Sequence, residues 1–197
     1  MHAILVEEGF TYSQAPEDAD LLVVNTCAFI DEAKAESIRT ILEAGRVKDE
    51  GKCSGLIVTG CLAQRFEKEL MSEMPEIDAV IGTSEFRSIG KIARQVLNGK
   101  RVSQVKEPTF RYDTPVSRIR STPPYTAYLK ISEGCNHTCS FCIIPTLRGR
   151  HRSRRPEDIV EEARKLAAEG VKEINLIAQD STYYGYDLAR KLLLPDL

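Results

Sequence analysis

Residues 125–145 read YTAYLKISEGCNHTCSFCIIP. Tyr125 to Ser132 has the aromatic and β-branched content of a strand, and it runs straight into a loop carrying Cys135, Cys139 and Cys142. Further on, Pro156 to Glu169 (PEDIVEEARKLAAE) predicts a helix with proline at its first position and acids in its first turn. Val171 to Ala178 (VKEINLIA) predicts the next strand. Strand, long loop, helix, strand is the opening of a (β/α) barrel. A whole barrel takes about 200 to 250 residues, whereas 73 run from Tyr125 to Leu197. The expectation is therefore an incomplete barrel. Two parallel strands cannot cover their own edges and faces, so this part should be unstable, partly disordered or completed by something else.

Working outward, Lys100 to Pro124 is polar and basic with prolines at 108, 115, 123 and 124, the text of an interdomain linker. The first 99 residues alternate short apolar runs with amphipathic stretches, the pattern of βαβ units around a parallel sheet. Leu21 to Asn25 (LLVVN) precedes a helix over Asp31 to Ala44, Leu56 to Thr59 leads into Ala63 to Met74, and Ala79 to Ile81 leads into Ser88 to Leu97. The predicted organisation is a small three-layer α/β domain over 1–99, a linker over 100–124, and the first part of a barrel over 125–197.

Hydrophobic residues make up 42% of the chain and charged ones 28%, which is ordinary for a soluble globular protein. No run approaches the roughly 18 apolar residues of a membrane span, and MHAILVEEGF has acids where a secretory signal needs basic residues. The default expectation is a cytoplasmic protein with no membrane partner. Six cysteines in such a chain point to metal or redox chemistry rather than a disulfide framework. The net charge of −2 is uneven, since residues 101–155 carry 11 basic side chains against 3 acidic ones, between two acidic flanks. That stretch suits an anionic partner such as RNA, an acidic protein surface or a nucleotide cofactor, or is a solvated linker.

In GCNHTCSFC three thiols lie within eight residues just past a strand, where a loop can turn each sulfur toward one centre. Three thiolates suit an iron-sulfur cubane and leave its fourth iron open to an outside ligand. The alternatives are a zinc site completed by His137 or a chance group of core cysteines. Zinc sites usually pair CxxC or CxxH spacings, and there is no second pair here. The segment LRGRHRSRR at 147–155 holds five arginines and a histidine. Arginine forks suit carboxylate and phosphate, which makes Arg148 and Arg150 substrate-binding candidates against a solvated basic loop. Gln179 and Asp180 end the second barrel strand, the end at which barrel enzymes place functional groups, so Gln179 is a cofactor-binding candidate. Cys53 follows no predicted strand and reads as incidental.

The C-x3-C-x2-C spacing of CNHTCSFC after a barrel strand resembles the radical S-adenosylmethionine (SAM) superfamily. The resemblance implies a 4Fe-4S cluster on Cys135, Cys139 and Cys142. Its open iron is chelated by the amino and carboxylate groups of SAM, and its electron cleaves the sulfonium to a 5'-deoxyadenosyl radical. Phe141 matches the aromatic position near the adenine. NTCAFIDEA (25–33), VTGCLAQR (58–65), residues 123–154 and LIAQDSTYYG (176–185) resemble the methylthiotransferases throughout, and AFI, AYLKISEGCNHTCSFC and AQDSTYYG resemble their ribosomal-protein-modifying (RimO-like) branch.

That likeness implies methylthio transfer to the β-carbon of an aspartate in small-subunit ribosomal protein S-twelve. It also implies an electron donor such as flavodoxin or ferredoxin, and an RNA contact. The alternatives are a tRNA-modifying (MiaB-like) enzyme of the same superfamily and an inactive iron-sulfur-binding module. Cys27 and Cys61 each follow a predicted parallel strand, at the carboxyl end where open α/β sheets bind ligands. The family holds an auxiliary 4Fe-4S cluster there with three cysteines, and Cys27 and Cys61 match the second and third. On this reading the chain starts inside the domain's first helix and lacks the first ligand. From the residues alone, the two could equally be buried structural cysteines.

Overall fold

A computed structural model describes residues 1–110, 118–120 and 122–197, so part of the stretch read as a linker lies outside the described residues. The chain divides into two compact units, Met1–Pro108 and Thr109–Leu197.

In the first unit the order is α1 (His2–Glu7), β1 (Leu21–Thr26), α2 (Asp31–Glu50), β2 (Gly55–Gly60), α3 (Cys61–Arg65), α4 (Glu67–Glu73), β3 (Ala79–Ile81), α5 (Ile89–Leu97) and β4 (Val102–Gln104). The strands form one parallel sheet in the order β1-β2-β3-β4. Ile57, Ala79 and Ile81 pack with Ile89, Ile92, Ala93 and Val96 of α5 and with Ile4 and Leu5 of α1. Side chains alternate across a strand, so Leu56, Val58 and Val80, also fully buried, point to the other face. There α2 packs on β1 and β2 and buries Ile41 completely. β2 is buried along its whole length, as a central parallel strand with helices on both faces must be.

Three details differ from the sequence expectation, the simplest being that the helix expected over Asp31 to Ala44 runs on to Glu50. Val102–Gln104 lies in the stretch read as linker and forms the fourth strand, paired residue for residue with Ala79–Ile81. Three residues of mixed polarity carry too little alternation to stand out from a polar, basic context. The helix predicted over 63–74 is two short ones, because Phe66 leaves helical dihedrals at φ −126°, ψ 37°.

The second unit contains β5 (Thr126–Lys130), β6 (Ser132–Glu133), α6 (Ile144–Arg148), β7 (Arg152–Ser153), α7 (Pro156–Ala168), β8 (Glu173–Ile177) and α8 (Tyr186–Ala189). β5 and β8 pair in parallel, Thr126 with Glu173 through Lys130 with Ile177, and the connection carries α7. Leu129, Ile131, Ile159 and Tyr184 form the core, closed by Leu193, Leu194 and Leu197. The strand pair leaves Tyr128, Leu176 and Ile177 exposed.

Candidate functional site

The cysteine loop leaves β6 at Gly134 and rejoins the unit through α6 and β7. Gly134 has φ +79°, and a Cβ there would lie 2.3 Å from the Arg150 carbonyl oxygen and 2.5 Å from that of Gly149. Only glycine permits both the left-handed backbone and that approach. The close approach allows three ties. The antiparallel pairs Ser132–Ser153 and Glu133–Arg152 precede it, the Cys135 amide donates to the Gly149 carbonyl at 3.2 Å, and the His151 amide donates to Asn136 Oδ1 at 3.0 Å. From the end of the second parallel strand, Gln179 Oε1 accepts the Gly134 amide at 2.8 Å. The loop is therefore held from two sides before its first thiol.

Cys135 is buried, Cys142 half-buried and Cys139 exposed, and all three are free thiols. The Cys142 amide donates to the Cys139 carbonyl at 3.0 Å, closing a turn around Phe141. Phe141 itself is 85% exposed, an aromatic face available to a planar ligand. The donor set fits the implied cluster, since three unbridged thiols on one pinned loop are what a three-cysteine cubane requires.

Beside Cys135, His137 and Asp180 face each other, with Nε2 3.1 Å from Oδ2. The contact is an ion-pair distance without hydrogen-bond alignment, so Oδ2 has no hydrogen-bond partner. Asp180 Oδ1 is taken twice by Thr182, from its amide at 3.1 Å and its hydroxyl at 2.7 Å. Burial would raise the Asp180 carboxyl, but the Thr182 hydroxyl, His137 and the Tyr183 and Thr182 amides together hold it below the usual carboxylate range. Neither residue's partner was legible in the sequence, because they are 43 positions apart and meet only through the β5–β8 pairing.

The basic segment is largely structural. Arg154 is buried, donates to the Lys130 carbonyl at 2.7 Å and pairs with Glu162 at 2.8 Å. Arg152 donates to the carbonyls of Phe110, Arg150 and Arg148, and Arg155 pairs with Asp158. Arg148 lies 3.4 Å from Glu133, a buried carboxylate that also pairs with Lys130. Arg150 is exposed. His151 is buried against the edge of Tyr183, with Nε2 3.1 Å from Ser153 Oγ. Burial pushes its pKa down, against the pull of Asp187 and Asp180.

In the first unit, Thr26 pairs with Gly60, so Cys27 and Cys61 are the residues that immediately follow two adjacent strands, Cys61 opening α3. Gly60 has φ +99°, and a Cβ there would lie 2.4 Å from the Thr26 carbonyl oxygen. Cys27 is exposed and Cys61 half-buried. Ser37 of α2 clasps the Cys27 backbone, its hydroxyl accepting the amide at 3.0 Å and donating to the carbonyl at 3.1 Å. After β3 on the same sheet edge stands Glu85, which is buried with Oε2 unpartnered, and burial raises its pKa. Sequence reasoning missed it, since one glutamate in GTSEF carries no signal of burial. Cys53 is buried and its thiol donates to the Gly55 carbonyl at 3.2 Å, a packing role.

Comparison with known proteins falls in line with both units. Residues 1–82 match the model of Uncharacterized protein family UPF0004, and residues 129–195 match that of the Radical SAM superfamily. The parallel βαβ opening and its three-thiol loop thus lie within or beside the stretch that matches the radical SAM superfamily. The chain's sequence is RimO-like throughout. It is 50% identical to the "Ribosomal protein uS12 methylthiotransferase RimO" of Symbiobacterium thermophilum over 100% of this chain and 41% of that protein. For the protein of that name from Clostridioides difficile the identity is 48%, over 100% of this chain and 44% of the relative. The chain therefore spans less than half the length of these relatives. A radical SAM methyltransferase, TsrM from Kitasatospora setae, whose structure holds tryptophan and a SAM analog, superposes with a TM-score of 0.57 at 16% identity, covering 87% of this chain and 38% of that one. That likeness is one of fold. The superfamily implies a 4Fe-4S cluster and SAM as cofactors. Among the described residues no helix is long and apolar enough to cross a membrane.

Proposed function

We propose that this chain carries part of a radical SAM methylthiotransferase that modifies the β-carbon of an aspartate in ribosomal protein uS12. The observation that carries the reading is the pinned loop of three free thiols at the carboxyl end of β5, within a sequence half identical to the uS12 enzymes along its whole length. Cys135, Cys139 and Cys142 would hold the cluster, which when bound supplies the electron that cleaves SAM to a 5'-deoxyadenosyl radical. The chain's own residues prepare the place. Gln179 and the Gly149 carbonyl fix the loop's entry through the Gly134 and Cys135 amides. Phe141 offers an exposed ring to the adenine, and the exposed Arg150 and the half-buried Arg148 supply cations for a carboxylate. Cys27 and Cys61, side by side after β1 and β2, would hold the auxiliary cluster. The protein-modifying reading also calls for a ribosomal-protein substrate in the cytoplasm, a flavodoxin- or ferredoxin-type donor, and an RNA contact near the basic stretch.

The test is anaerobic reconstitution of the full chain followed by iron counting, reductive SAM cleavage, and mass analysis of purified uS12 and of tRNA. The expected result is iron bound through Cys135, Cys139 and Cys142, with loss on Cys139→Ser, and SAM cleavage. A methylthio product on uS12, with this chain alone or as part of a longer protein, supports the substrate. Product on tRNA alone, or no iron bound at all, would overturn the reading.

A further inference from the structure

The cluster reading leaves Asp180 unused. Its side chain is 7% exposed, and its Oδ2 has no hydrogen-bond partner. Oδ1 is fixed by Thr182 through two hydrogen bonds, the arrangement by which an outer partner orients a metal-ligating carboxylate. The free oxygen faces His137, and Cys135 Sγ completes a set in which one donor atom from each residue lies within 4.8 Å of the others.

We propose that, when the iron cluster is absent, Cys135, His137 and Asp180 bind a single Zn2+ ion with water in the fourth position. Thiolate, imidazole and carboxylate form the borderline-soft donor set that suits zinc. At Zn–S of about 2.3 Å and Zn–N and Zn–O of about 2.0 to 2.2 Å, tetrahedral neighbours stand roughly 3.3 to 3.6 Å apart. The His137–Asp180 edge is already 3.1 Å and the other edges are within 4.8 Å, so the set needs a shift of at most about 1.5 Å, within reach of the exposed His137. The three cluster thiolates belong to a different geometry, since each binds its own iron. Cys135 is common to both sites. Zinc and cluster therefore exclude each other, and zinc bound here blocks cluster assembly.

The test uses Co2+ as the probe on the full, cluster-free chain under anaerobic conditions, in a Cys27→Ser/Cys61→Ser background that removes the accessible thiols of the first unit. One Co2+ per chain is expected, with a thiolate charge-transfer band, the visible absorption of a four-coordinate site, and displacement by Zn2+. His137→Ala and Asp180→Asn should each weaken binding by at least about tenfold, whereas Cys139→Ser and Cys142→Ser should leave it unchanged. Because His137 is exposed, His137→Ala tests the site without the folding risk of a buried substitution. It should also restore iron loading in the presence of one equivalent of Zn2+. Loss of cobalt binding on Cys139→Ser or Cys142→Ser, unchanged affinity in His137→Ala, or no binding at all would overturn the proposal.

Discussion

The two units place their cysteines by opposite means. In Met1–Pro108 the positions of Cys27 and Cys61 follow from strand register, since Thr26 opposes Gly60 on two adjacent strands and the thiols come next. The sheet that sets this register is covered on both faces, and β2 is buried end to end. In Thr109–Leu197 the two parallel strands leave Tyr128, Leu176 and Ile177 exposed. Here the thiols stand on a loop whose course depends on single hydrogen bonds accepted by Gln179, Gly149 and Asn136. A sheet-edge site inherits the stability of a core, whereas a loop site is only as firm as the bonds that pin it.

The largest effects should come from the two glycines at which each cysteine segment turns. Gly60→Ala meets the Thr26 carbonyl at 2.4 Å with φ +99°, and should cost about 3 kcal/mol or more in urea unfolding. Gly134→Ala meets the Arg150 carbonyl at 2.3 Å with φ +79° and should additionally abolish iron binding by Cys135, Cys139 and Cys142. A cost below about 1 kcal/mol at either site would show that the frame yields there. Next in size, hydrogen exchange should be slower for amides of β2 than of β8 by at least about tenfold, as expected when buried contacts are denser. Equal protection would erase the contrast between the units. Gln179→Ala removes the acceptor of the Gly134 amide; a stability loss of about 1 kcal/mol should come with reduced iron content at unchanged secondary structure.

The smallest effects are those of pH. Burial holds the His151 pKa below its ordinary 6.5, so the unfolded chain takes up the proton first as pH falls. Stability from this group is full above about pH 6.5 and declines below it until the folded group is protonated as well. His151→Gln should flatten that decline in thermal melts between pH 7 and 5. Glu85 has the opposite sign. Burial raises its pKa above 4.5, so as pH rises past 4.5 the unfolded group ionises first and stability falls until the folded one follows. Glu85→Gln should remove that fall, and a variant less stable than the parent at pH 7 would show an ionised, paired carboxylate instead.

Much of this was legible in the chain. The apolar runs at 21–25, 56–59 and 79–81 are the first three strands, because fully buried parallel strands are short continuous apolar segments. The proline-led helix at 156 and the strand after it also appear where the text puts them. The fourth strand was hidden, since Val102–Gln104 is defined by its partner β3 rather than by its own pattern. The arginine-rich segment looked like an open basic surface, yet Arg152 and Arg154 spend their donors on backbone carbonyls and Glu162. Composition reports charge but not what lies against it.

The sequence by itself determined the chemistry, because thiol spacing in CNHTCSFC and the cysteines after two strands are local facts of order along the chain. Only the tertiary structure decided which side chains attend that chemistry. Gln179 on the Gly134 amide, Asn136 on the His151 amide, and Asp180 facing His137 are contacts between residues 15 to 45 positions apart. They exist because β5 pairs with β8 and the loop folds back on β7, and no local propensity encodes a partner at that distance.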